Sequence, residues 1–545
     1  MTFVADILQA AAARGVDPML IEVQGTRLVP MSGRELVDAT ARVRGYLRAN
    51  GVVSGDRVGL LGPNSSRWAA IDVAIMAEGA ICVPLYARQA PAQLAGMLRD
   101  AGPKLLLVAD DKLEAAMKQA WPDACPIVHF QAALAHPPIE ADERASRAGI
   151  DDQCVTIVYT SGTSGEPKGA MLGAAGVNFM LDVTVKRIKE MSIGARAEDR
   201  VFHYLPFCFA GSRIMLWSQL RRGNPMWLST DLDKLQDELQ AAKPHYFMNV
   251  PVLLERVRNG VEKRMTTVSK PLRALYERGV TAYRSQLAGT LQMRERMWLM
   301  SAQKLIFPRI KHLIGENLEF LVCGSARLSE DTQRWFEMLG IPVFQVYGLT
   351  ESTGIITIDD TKNVRPGRVG HVIPGCEIRV TEDGELACRG PNVFLGYWKR
   401  PEATAQMIRD GWLYTGDQCE IDATGSVRIA GRLKDVIVPE SGHNVAPAPI
   451  EERLVQAGVG IEQALVVGHG RPYLTAIVTG AVDDAQLTAA REQVNATLPH
   501  YQRLRKLFRA QEPFSADNGL LTANQKLKRG AIEAHYASAI EEMYR

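Results

Sequence analysis

The first part of the chain alternates between short apolar runs and segments with helical spacing. The apolar runs at 57–61, 81–85 and 104–110 have the length of buried strands, and the segments 65–79 and 92–101 between them have the spacing of helices. Strands that alternate with helices form parallel sheets whose faces the helices cover. The pattern therefore predicts an α/β fold with parallel sheets in a large N-terminal region.

The rest of the chain changes character in two places. Residues 377–440 hold short β patterns separated by glycine and aspartate turns, which indicates a small β-rich unit. A compact α/β pattern begins after Lys434. Because 545 residues are too many for one core, we expect an N-terminal domain over 1–432 with a β-rich subdomain at about 370–432, and a C-terminal domain over 433–545.

Helix boundaries and one connector are also visible in the sequence. Ser32 and Glu35 have capping-box spacing ahead of a helix that we expect to close at Gly51. Residues 483–498 have helical spacing, and the charged, proline-containing stretch near 136–150 is expected to be a connector.

The composition excludes several classes of protein. Lysine and arginine number 63 and aspartate and glutamate 61, so the net charge of +2 implies no general affinity for nucleic acid. The eight cysteines form no C-x-x-C pair, which argues against a zinc site and fits reduced thiols in the cytoplasm. No apolar run approaches the roughly 18 residues that span a bilayer. Since residues 1–20 also lack a signal-peptide pattern, we expect a cytoplasmic protein whose only membrane contact is peripheral, on the inner face.

The segment Tyr159–Gly169, YTSGTSGEPKG, says most about chemistry. Glycines let a backbone wrap closely around an anion, hydroxyl groups donate hydrogen bonds, and Lys168 adds a positive charge. The segment is not a Walker A loop, because Pro167 precedes the lysine and Gly169 follows it. We expect a phosphate chain to bind here, the alternative being a flexible surface loop. The residues that carry this prediction are Thr160, Ser161, Gly162, Thr163, Ser164, Gly165 and Lys168.

This segment resembles the signature of the adenylate-forming enzymes, which include acyl-CoA ligases, luciferases and adenylation domains. That family activates a carboxylic acid with ATP, giving an acyl-AMP and pyrophosphate, and most members then pass the acyl group to a thiol. The resemblance implies ATP, Mg²⁺ and CoA as the small molecules of the reaction. It also implies that the large N-terminal region binds ATP and acid, and that the C-terminal domain is a mobile lid.

A second segment, Tyr347–Ser352 or YGLTES, follows the apolar run IPVFQV. It is expected at the carboxyl end of a strand, where ligands bind in open α/β sheets. The segment resembles the family's second core motif, which implies that Thr350 contacts phosphate oxygens and that Glu351 holds Mg²⁺. A cation there reduces the repulsion between a carboxylate and a polyphosphate. The alternative for this glutamate is a solvated turn. Other residues that the resemblance assigns to this site are Thr163 for the metal and Tyr347 and Gly348 for the nucleotide.

Further segments resemble the nucleotide contacts of the family. Tyr414-Thr-Gly-Asp417 is similar to the ribose motif, in which the aspartate accepts hydrogen bonds from both sugar hydroxyls. Arg432 resembles the nucleotide-binding arginine. The turn after LEFLVC is similar to the adenine-binding turn, where small residues let the purine lie flat on the backbone, and consists of Gly324, Ser325 and Ala326.

The C-terminal domain contains the two lysines to which the family resemblance assigns a role. Lys434 resembles the hinge residue about which the lid turns, and Lys526 lies in the Thr-x-x-x-Lys-Leu-Lys-Arg ending of long-chain acyl-CoA ligases. A long cation of this kind can bridge the substrate carboxylate and the α-phosphate. Lys528 is the rival for that role, and Gln525 replaces the glycine that commonly precedes the catalytic lysine. The glycine-bearing loop that meets the pantetheine arm of CoA is matched by Ser441, Gly442 and His443.

The region that would contact the acid departs from the family pattern at one position. Long-chain members usually have Leu-Pro-Leu-x-His after the phosphate loop, and Phe209 stands here where the histidine would be. A phenyl ring neither donates a hydrogen bond nor carries charge. The segment 243–257 is close to the long-chain branch, in which bulky residues bound a tunnel for the alkyl tail. We therefore expect Phe209, Asn249 and Val250 to line an acyl pocket.

Residues 256–311 contain thirteen lysines and arginines and three glutamates. A basic helical patch of this kind is suited to an anionic lipid surface. Two alternatives are a solvated helix face and a face that attracts the phosphates of CoA. The distribution leaves a peripheral membrane contact as a hypothesis.

Together the motifs predict a Mg²⁺- and ATP-dependent long-chain fatty acyl-CoA ligase. The alternatives are a fatty acyl-AMP ligase that loads an acyl carrier protein, and a CoA ligase for an aryl or other acid. A non-catalytic acyl or nucleotide sensor would be expected to have lost Lys526 or Glu351, and both are present. Whether the protein is a monomer or a homodimer stays open.

Overall fold

The computed structural model describes residues 2–140, 153–161, 167–192, 196, 198–362, 364–457, 460–516, 518–522 and 526–545. Most of the predicted connector at 136–150 therefore lies outside the described residues, as do Gly162, Thr163, Ser164 and Gly165 of the predicted phosphate segment.

The strands, in chain order, are β1 Pro18–Gln24, β2 Arg27–Ser32, β3 Arg57–Leu61, β4 Ile81–Leu85, β5 Leu105–Val108, β6 Ile127–His129, β7 Cys154–Ser161, β8 Pro167–Gly173, β9 Val201–His203, β10 Met226–Ser229, β11 Tyr246–Asn249, β12 Phe320–Cys323, β13 Val343–Tyr347, β14 Thr357–Ile358, β15 His371–Val372, β16 Glu377–Val380, β17 Glu385–Arg389, β18 Gly396–Tyr397, β19 Ile408–Arg409, β20 Trp412–Ile421, β21 Val427–Arg432, β22 Gln463–Val467, β23 Leu474–Thr479 and β24 Leu504–Arg509.

The α-helices are α1 Phe3–Arg14, α2 Gly33–Ala49, α3 Ser66–Ala77, α4 Pro91–Ala101, α5 Asp111–Ala120, α6 Phe130–Leu134, α7 Ala174–Met191, α8 Ala210–Arg221, α9 Leu235–Ala242, α10 Pro251–Thr267, α11 Lys270–Leu287, α12 Met293–Leu305, α13 Phe307–Ile314, α14 Glu330–Met338, α15 Pro401–Met407, α16 Ala448–Ala457, α17 Asp484–Ala496, α18 Arg529–His535 and α19 Ala537–Tyr544. Short 3₁₀ helices cover Leu232–Lys234, Thr350–Ser352, Leu433–Asp435 and His500–Gln502.

Two largely parallel sheets form the N-terminal part. The larger has the order β15-β14-β13-β12-β11-β9-β10-β1-β2, and its strands from β13 to β1 run parallel. The other has the order β18-β8-β7-β4-β3-β5-β6, with β7 and β8 as an antiparallel hairpin. Helix α3 is buried from Trp68 to its end at Ala77. The predicted α/β class is confirmed.

The local predictions agree closely with these elements. Strands β3 and β4 match the predicted runs, and the capping box of Ser32 and Glu35 opens α2, which ends at Ala49 just before Gly51. The strand predicted over 104–110 ends earlier, at Val108, because the Asp110 side chain accepts a hydrogen bond from the backbone N–H of Leu113 and caps α5.

The remaining strands form two smaller sheets. Residues 377–432 build a sheet of order β16-β17-β20-β19, in which β20 also pairs antiparallel with β21. The C-terminal sheet has the order β22-β23-β24 and packs on α16 and α17. Its core contains Ile450, Leu454, Val466, Leu474 and Val494.

The chain divides into two compact units. The first comprises residues 1–87, 91–377 and 389–413, and the second comprises residues 88–90, 378–388 and 414–545. The boundary at 432, the hinge at Lys434 and the mobility of the lid stay predictions. Within the described residues, no helix is both long and apolar enough to cross a bilayer.

Candidate active site

Three parallel strands of the first unit end side by side and bring predicted residues to one edge of the larger sheet. Asn249 at the end of β11 faces Cys323 at the end of β12, and Cys323 faces Gln345 near the end of β13. Asn249 and Val250, the predicted adenine turn and the segment Tyr347–Ser352 lie at these strand ends or directly after them. The carboxyl edge of a parallel sheet is where open α/β folds bind ligands.

The turn after β12 has the close backbone packing that its small residues predict. A side chain at Gly324 would place its Cβ 2.7 Å from Cγ2 of Val346 on the neighbouring strand. Ser325 has a φ of 72°, in the left-handed region that few residues other than glycine and asparagine adopt. The turn thus presents backbone to the edge of the sheet, as an adenine-binding surface requires.

Glu351 lies in the 3₁₀ turn after β13 and is 9% exposed. The phenol of Tyr397 donates a hydrogen bond of 2.6 Å to its Oε1 atom. Its Oε2 atom accepts no hydrogen bond from the part of the chain that the structure describes. Burial and the neighbouring carboxylate raise the pKa of Tyr397 far above its usual value, so the phenol stays a donor at neutral pH.

The same tyrosine joins this turn to the phosphate hairpin, the pair of strands β7 and β8 that carries the two ends of the predicted phosphate segment. The Nζ atom of Lys168 lies 5.4 Å from the centre of the Tyr397 ring, a cation–π distance. Strand β18 pairs with β8, so that Tyr397 faces Ala170, and the Trp398 amide donates to the Gly169 carbonyl at 2.8 Å. The lysine of the phosphate segment and the candidate metal carboxylate are therefore neighbours of one ring.

The described ends of the phosphate hairpin are held from both sides. Thr160 faces Lys168 across β7 and β8. The Tyr159 hydroxyl donates to Asp100 at 2.7 Å, and Asp100 also pairs with Arg400 at 3.1 Å. These contacts fix the base of the hairpin, whose tip, including Thr163, lies outside the described residues.

The segment after β9 places Phe209 at the N-cap of α8. The ring of Phe209 lies 5.9 Å from that of Tyr86. The nearby His203 does not replace the missing histidine: it is fully buried, stacks on Phe207, and burial lowers its pKa to about 3. This imidazole is therefore neutral and belongs to the core.

The other two predicted acyl-pocket residues lie after β11. Asn249 is 1% exposed, and its Oδ1 atom has no hydrogen-bond partner among the described residues. The amide of Val250 donates to the Tyr204 hydroxyl at 3.3 Å. Both residues are at the same sheet edge as the adenine turn, whereas their contact with an acyl chain stays a prediction.

In the second unit, the two predicted nucleotide residues face each other. Asp417 on β20 and Arg432 on β21 are register partners, with 3.3 Å between the arginine Nε and the aspartate Oδ1. Asp417 is buried, and Arg432 is exposed. The pair holds an acceptor in place, as a site for sugar hydroxyls requires.

The predicted hinge and CoA loop follow in sequence. Lys434 lies in an exposed 3₁₀ turn directly after β21. The loop that carries Ser441, Gly442 and His443 is closed by reciprocal 2.9 Å hydrogen bonds between Ile437 and Val445. Gly442 has a φ of 75°, and the imidazole of His443 stacks on Tyr501 at 4.3 Å. Their roles in CoA binding stay predictions.

The backbone of Lys526 is held by Thr522. Its backbone amide donates to the Thr522 hydroxyl at 3.0 Å, and its carbonyl accepts from the Thr522 amide at 2.8 Å. Lys528 differs, because its backbone lies at the N-cap of α18. Next to it, Arg529 pairs with the buried Glu451 at 2.5 Å and anchors this segment to α16.

The chemistry of the described donors fits Mg²⁺. Hard cations prefer carboxylate and hydroxyl oxygens, and Glu351 presents a carboxylate of which one oxygen is fixed and the other is not engaged by described residues. The implied hydroxyl ligand, Thr163, lies outside the described residues.

The sequence motifs did not assign a role to Tyr397, although it lies in the segment GYWKRPEAT shortly before the predicted ribose motif. Its position in that segment was the one feature that could have pointed to it. Its contact with the phosphate hairpin depends on the pairing of β18 with β8, which joins residues far apart in sequence.

Comparison with known proteins identifies the family. Residues 9–398 match the AMP-binding enzyme family, and residues 434–545 match the AMP-binding enzyme C-terminal domain. The chain belongs to the AMP-binding enzyme family. The resemblance to adenylate-forming enzymes is thereby confirmed.

Individual relatives of this AMP-binding enzyme are distant. It is 28% identical over 541 residues to the long-chain-fatty-acid–CoA ligase FadD15 of Mycobacterium bovis, covering 91% of this chain and 89% of that protein. It is 26% identical over 597 residues to the chloroplastic long-chain-fatty-acid–[acyl-carrier-protein] ligase AEE15 of Arabidopsis thaliana, covering 91% and 80%.

A solved structure shares the fold. The anthranilate CoA ligase AuaEII in complex with anthranoyl-AMP aligns with a TM-score of 0.77 at 20% identity, covering 99% of this chain and 98% of that one. At that identity the likeness shows the fold alone.

Proposed function

We propose that this AMP-binding enzyme is an acid–thiol ligase that activates a long-chain fatty acid as acyl-AMP and transfers the acyl group to CoA. The observation that carries the proposal is the arrangement of Glu351, Tyr397 and Lys168 at the sheet edge, within a family that binds AMP. The carboxylate of Glu351 can bind a cation and the ammonium group of Lys168 can bind phosphate. Because both lie beside the ring of Tyr397, the arrangement suits a polyphosphate substrate. The name of the Mycobacterium relative supports a long-chain acid and CoA.

In the first proposed half-reaction, an oxygen of the fatty acid carboxylate attacks the α-phosphorus of ATP. The new bond joins that oxygen to phosphorus, and the bond to the bridging oxygen breaks, so pyrophosphate leaves and acyl-AMP remains. Lys168 would bind the phosphates, and Lys526 would neutralise charge shared by the carboxylate and the α-phosphate. Bound Mg²⁺, held by Glu351 and Thr163, would stabilise negative charge on the polyphosphate.

In the second proposed half-reaction, the thiol of CoA attacks the acyl carbonyl carbon. The bond between carbon and the AMP oxygen breaks, the thiol proton is lost to the medium, and AMP leaves. The loop with Ser441, Gly442 and His443 would receive the pantetheine arm after the lid turns at Lys434. Such lid movements let one pocket serve two reactions in turn.

The acid is proposed to be long-chain because segment 243–257 resembles that branch and because long-chain names occur among the relatives. Each methylene moved out of water contributes about 0.8 kcal/mol, so a closed tunnel would favour long tails. Phe209 favours a second candidate, an aryl or other acid, since its ring replaces a polar residue near the reacting carboxylate.

A carrier-protein acceptor is the remaining alternative, suggested by the name of the Arabidopsis relative. All eight cysteines are free thiols, which fits the proposed cytoplasmic location. Whether the active form is a monomer or a homodimer stays to be measured.

Product analysis tests the proposal. The protein is incubated with ATP, Mg²⁺ and CoA and with single acids from hexanoate to octadecanoate, together with benzoate and anthranilate, and products are identified by mass. We expect acyl-CoA and AMP, with the highest rate at dodecanoate or longer. An aryl-CoA product, or acyl-AMP that accumulates until a carrier protein is added, would replace the proposal with one of the two alternatives.

A further inference from the structure

Helix α12 carries a row of exposed methionines. Met293, Met297 and Met300 are 79%, 65% and 61% exposed. Their spacing of four and three residues puts them on one face of the helix. Large apolar side chains are usually buried, and three in a row on one helix are a patch rather than isolated exceptions.

The opposite face of α12 packs on helix α11, so the methionine row cannot be buried by a rotation of the helix. Leu299 and Ala302 are buried in the core shared with α11. The two helices pack closely at Gly279, where an added Cβ would lie 2.4 Å from the Cβ of Ala302. The methionines therefore face away from the first unit.

The surroundings of the row are cationic. Arg294 and Arg296 flank it, Lys304 continues it by one turn, and Arg309 follows on α13; all four side chains are exposed. None forms an ion pair with the described residues. The acidic residue of this helix, Glu295, is engaged in the capping box at Gln292 and with the Ser285 hydroxyl.

We propose that this face of α12, defined by Met293, Met297, Met300 and the cations Arg294, Arg296 and Lys304, docks on an anionic lipid surface. Unpaired cations around an apolar row complement a layer that has anionic headgroups above apolar chains. Methionine side chains are flexible and adapt to such an irregular boundary. With 13 residues, α12 is too short to span a bilayer and would lie in its plane.

The charge pattern favours lipid over a second copy of the chain. Two copies that paired through this face would bring the same cations together without acidic partners, which costs free energy. The proposal concerns a surface of the first unit and does not depend on the acid that the enzyme activates.

Vesicle co-flotation tests the proposal with the full-length protein. One set of vesicles contains phosphatidylglycerol and phosphatidylcholine, and the other contains phosphatidylcholine alone. A variant with Arg294→Gln, Arg296→Gln and Lys304→Gln removes the cations, and a variant with Met293→Ser, Met297→Ser and Met300→Ser removes the apolar row. A matched control, Arg67→Gln with Lys112→Gln and Lys189→Gln, removes three exposed charges elsewhere in the first unit.

We expect the protein to float with the anionic vesicles and the affinity to fall roughly a hundredfold in the charge variant. It should fall about tenfold in the serine variant and stay unchanged in the control. Thermal melts that match the parent protein show that the variants are folded.

Three results would overturn the proposal: no binding of the parent protein to anionic vesicles, equal binding by the charge variant and the control, or a dimer in sedimentation that the serine variant abolishes. The last result would assign the face to a second copy of the chain.

Discussion

The two units of the chain position their candidate residues by different means. In the first unit, parallel strands that end side by side bring the adenine turn, the Glu351 turn and Asn249 to one edge. In the second unit, local backbone contacts hold Lys526 and the CoA loop, through Thr522 and through Ile437 and Val445. Asp417 and Arg432 face each other on two paired strands. Substrate binding is therefore expected to depend on sheet topology, and the chemical steps on local turns.

The largest effect is expected from Lys526→Ala in the second unit. Formation of acyl-AMP should fall roughly a hundred- to a thousandfold, since one charge that stabilises the transition state is lost. Binding of ATP, measured by calorimetry, should change little, because the phosphate hairpin belongs to the first unit. Lys528→Ala is the matched control, two residues away. If Lys528→Ala lowered acyl-AMP formation more than Lys526→Ala, Lys528 and not Lys526 would be the catalytic lysine.

Glu351→Gln in the first unit should lower adenylation about a hundredfold and raise the Mg²⁺ concentration that half-saturates the reaction. The substitution keeps the shape of the side chain and one acceptor for Tyr397, so the fold should be retained. Exposed Glu330→Gln on α14 is the control. An unchanged Mg²⁺ requirement would contradict the metal role of Glu351.

Tyr397→Phe should lower the free energy of unfolding of the first unit. Loss of the 2.6 Å hydrogen bond leaves an oxygen of a nearly buried carboxylate without its donor, which costs about 1 to 3 kcal/mol. Urea unfolding of the first unit measures this change. Tyr501→Phe, which keeps the ring that stacks on His443 in the second unit, should leave the stability of both units unaltered. An equally stable Tyr397→Phe variant would show that the phenol contributes nothing there.

The last prediction concerns the pH dependence of stability. Burial raises the pKa of Asp359, whose Oδ2 accepts from the Gln345 amide at 2.7 Å, to about 7. Folding therefore favours the protonated acid, and its stabilising contribution is lost as pH rises from about 4 to about 7, by about 1.4 kcal/mol for each unit of pKa shift.

Asp359→Asn should flatten that part of the stability profile, measured as the free energy of unfolding at several pH values. Asp360→Asn, at the next position, is the control and should keep most of the slope, because burial raises the pKa of Asp359 more than the charge of Asp360 does. If the free energy of unfolding of the Asp359→Asn variant fell with pH as steeply as that of the parent protein, the pH dependence would belong to another group.

Much of the fold could be predicted because the signals are local. The apolar runs that became β3 and β4 and the capping box before α2 are each contained within a few residues. The error at β5 had a local cause as well, since Asp110 favours a helix N-cap over an extended strand.

The candidate site could be predicted only in pieces. Motifs named Lys168 and Glu351 separately, but their connection through Tyr397 depends on the pairing of β18 with β8, about 225 residues apart in the chain. The neutral, buried state of His203 likewise follows from packing and not from its neighbours in sequence. The exposed methionine row of α12 had helical spacing in the sequence, but which face of the helix is buried is decided by α11.

The central claim, that the protein joins a fatty acid to AMP, is tested most directly by exchange of labelled pyrophosphate into ATP without CoA. We expect label to enter ATP only when a fatty acid and Mg²⁺ are present, because acyl-AMP formation is reversible. The exchange should fall with Glu351→Gln. No exchange with any acid, or exchange that needs no acid, would contradict the account.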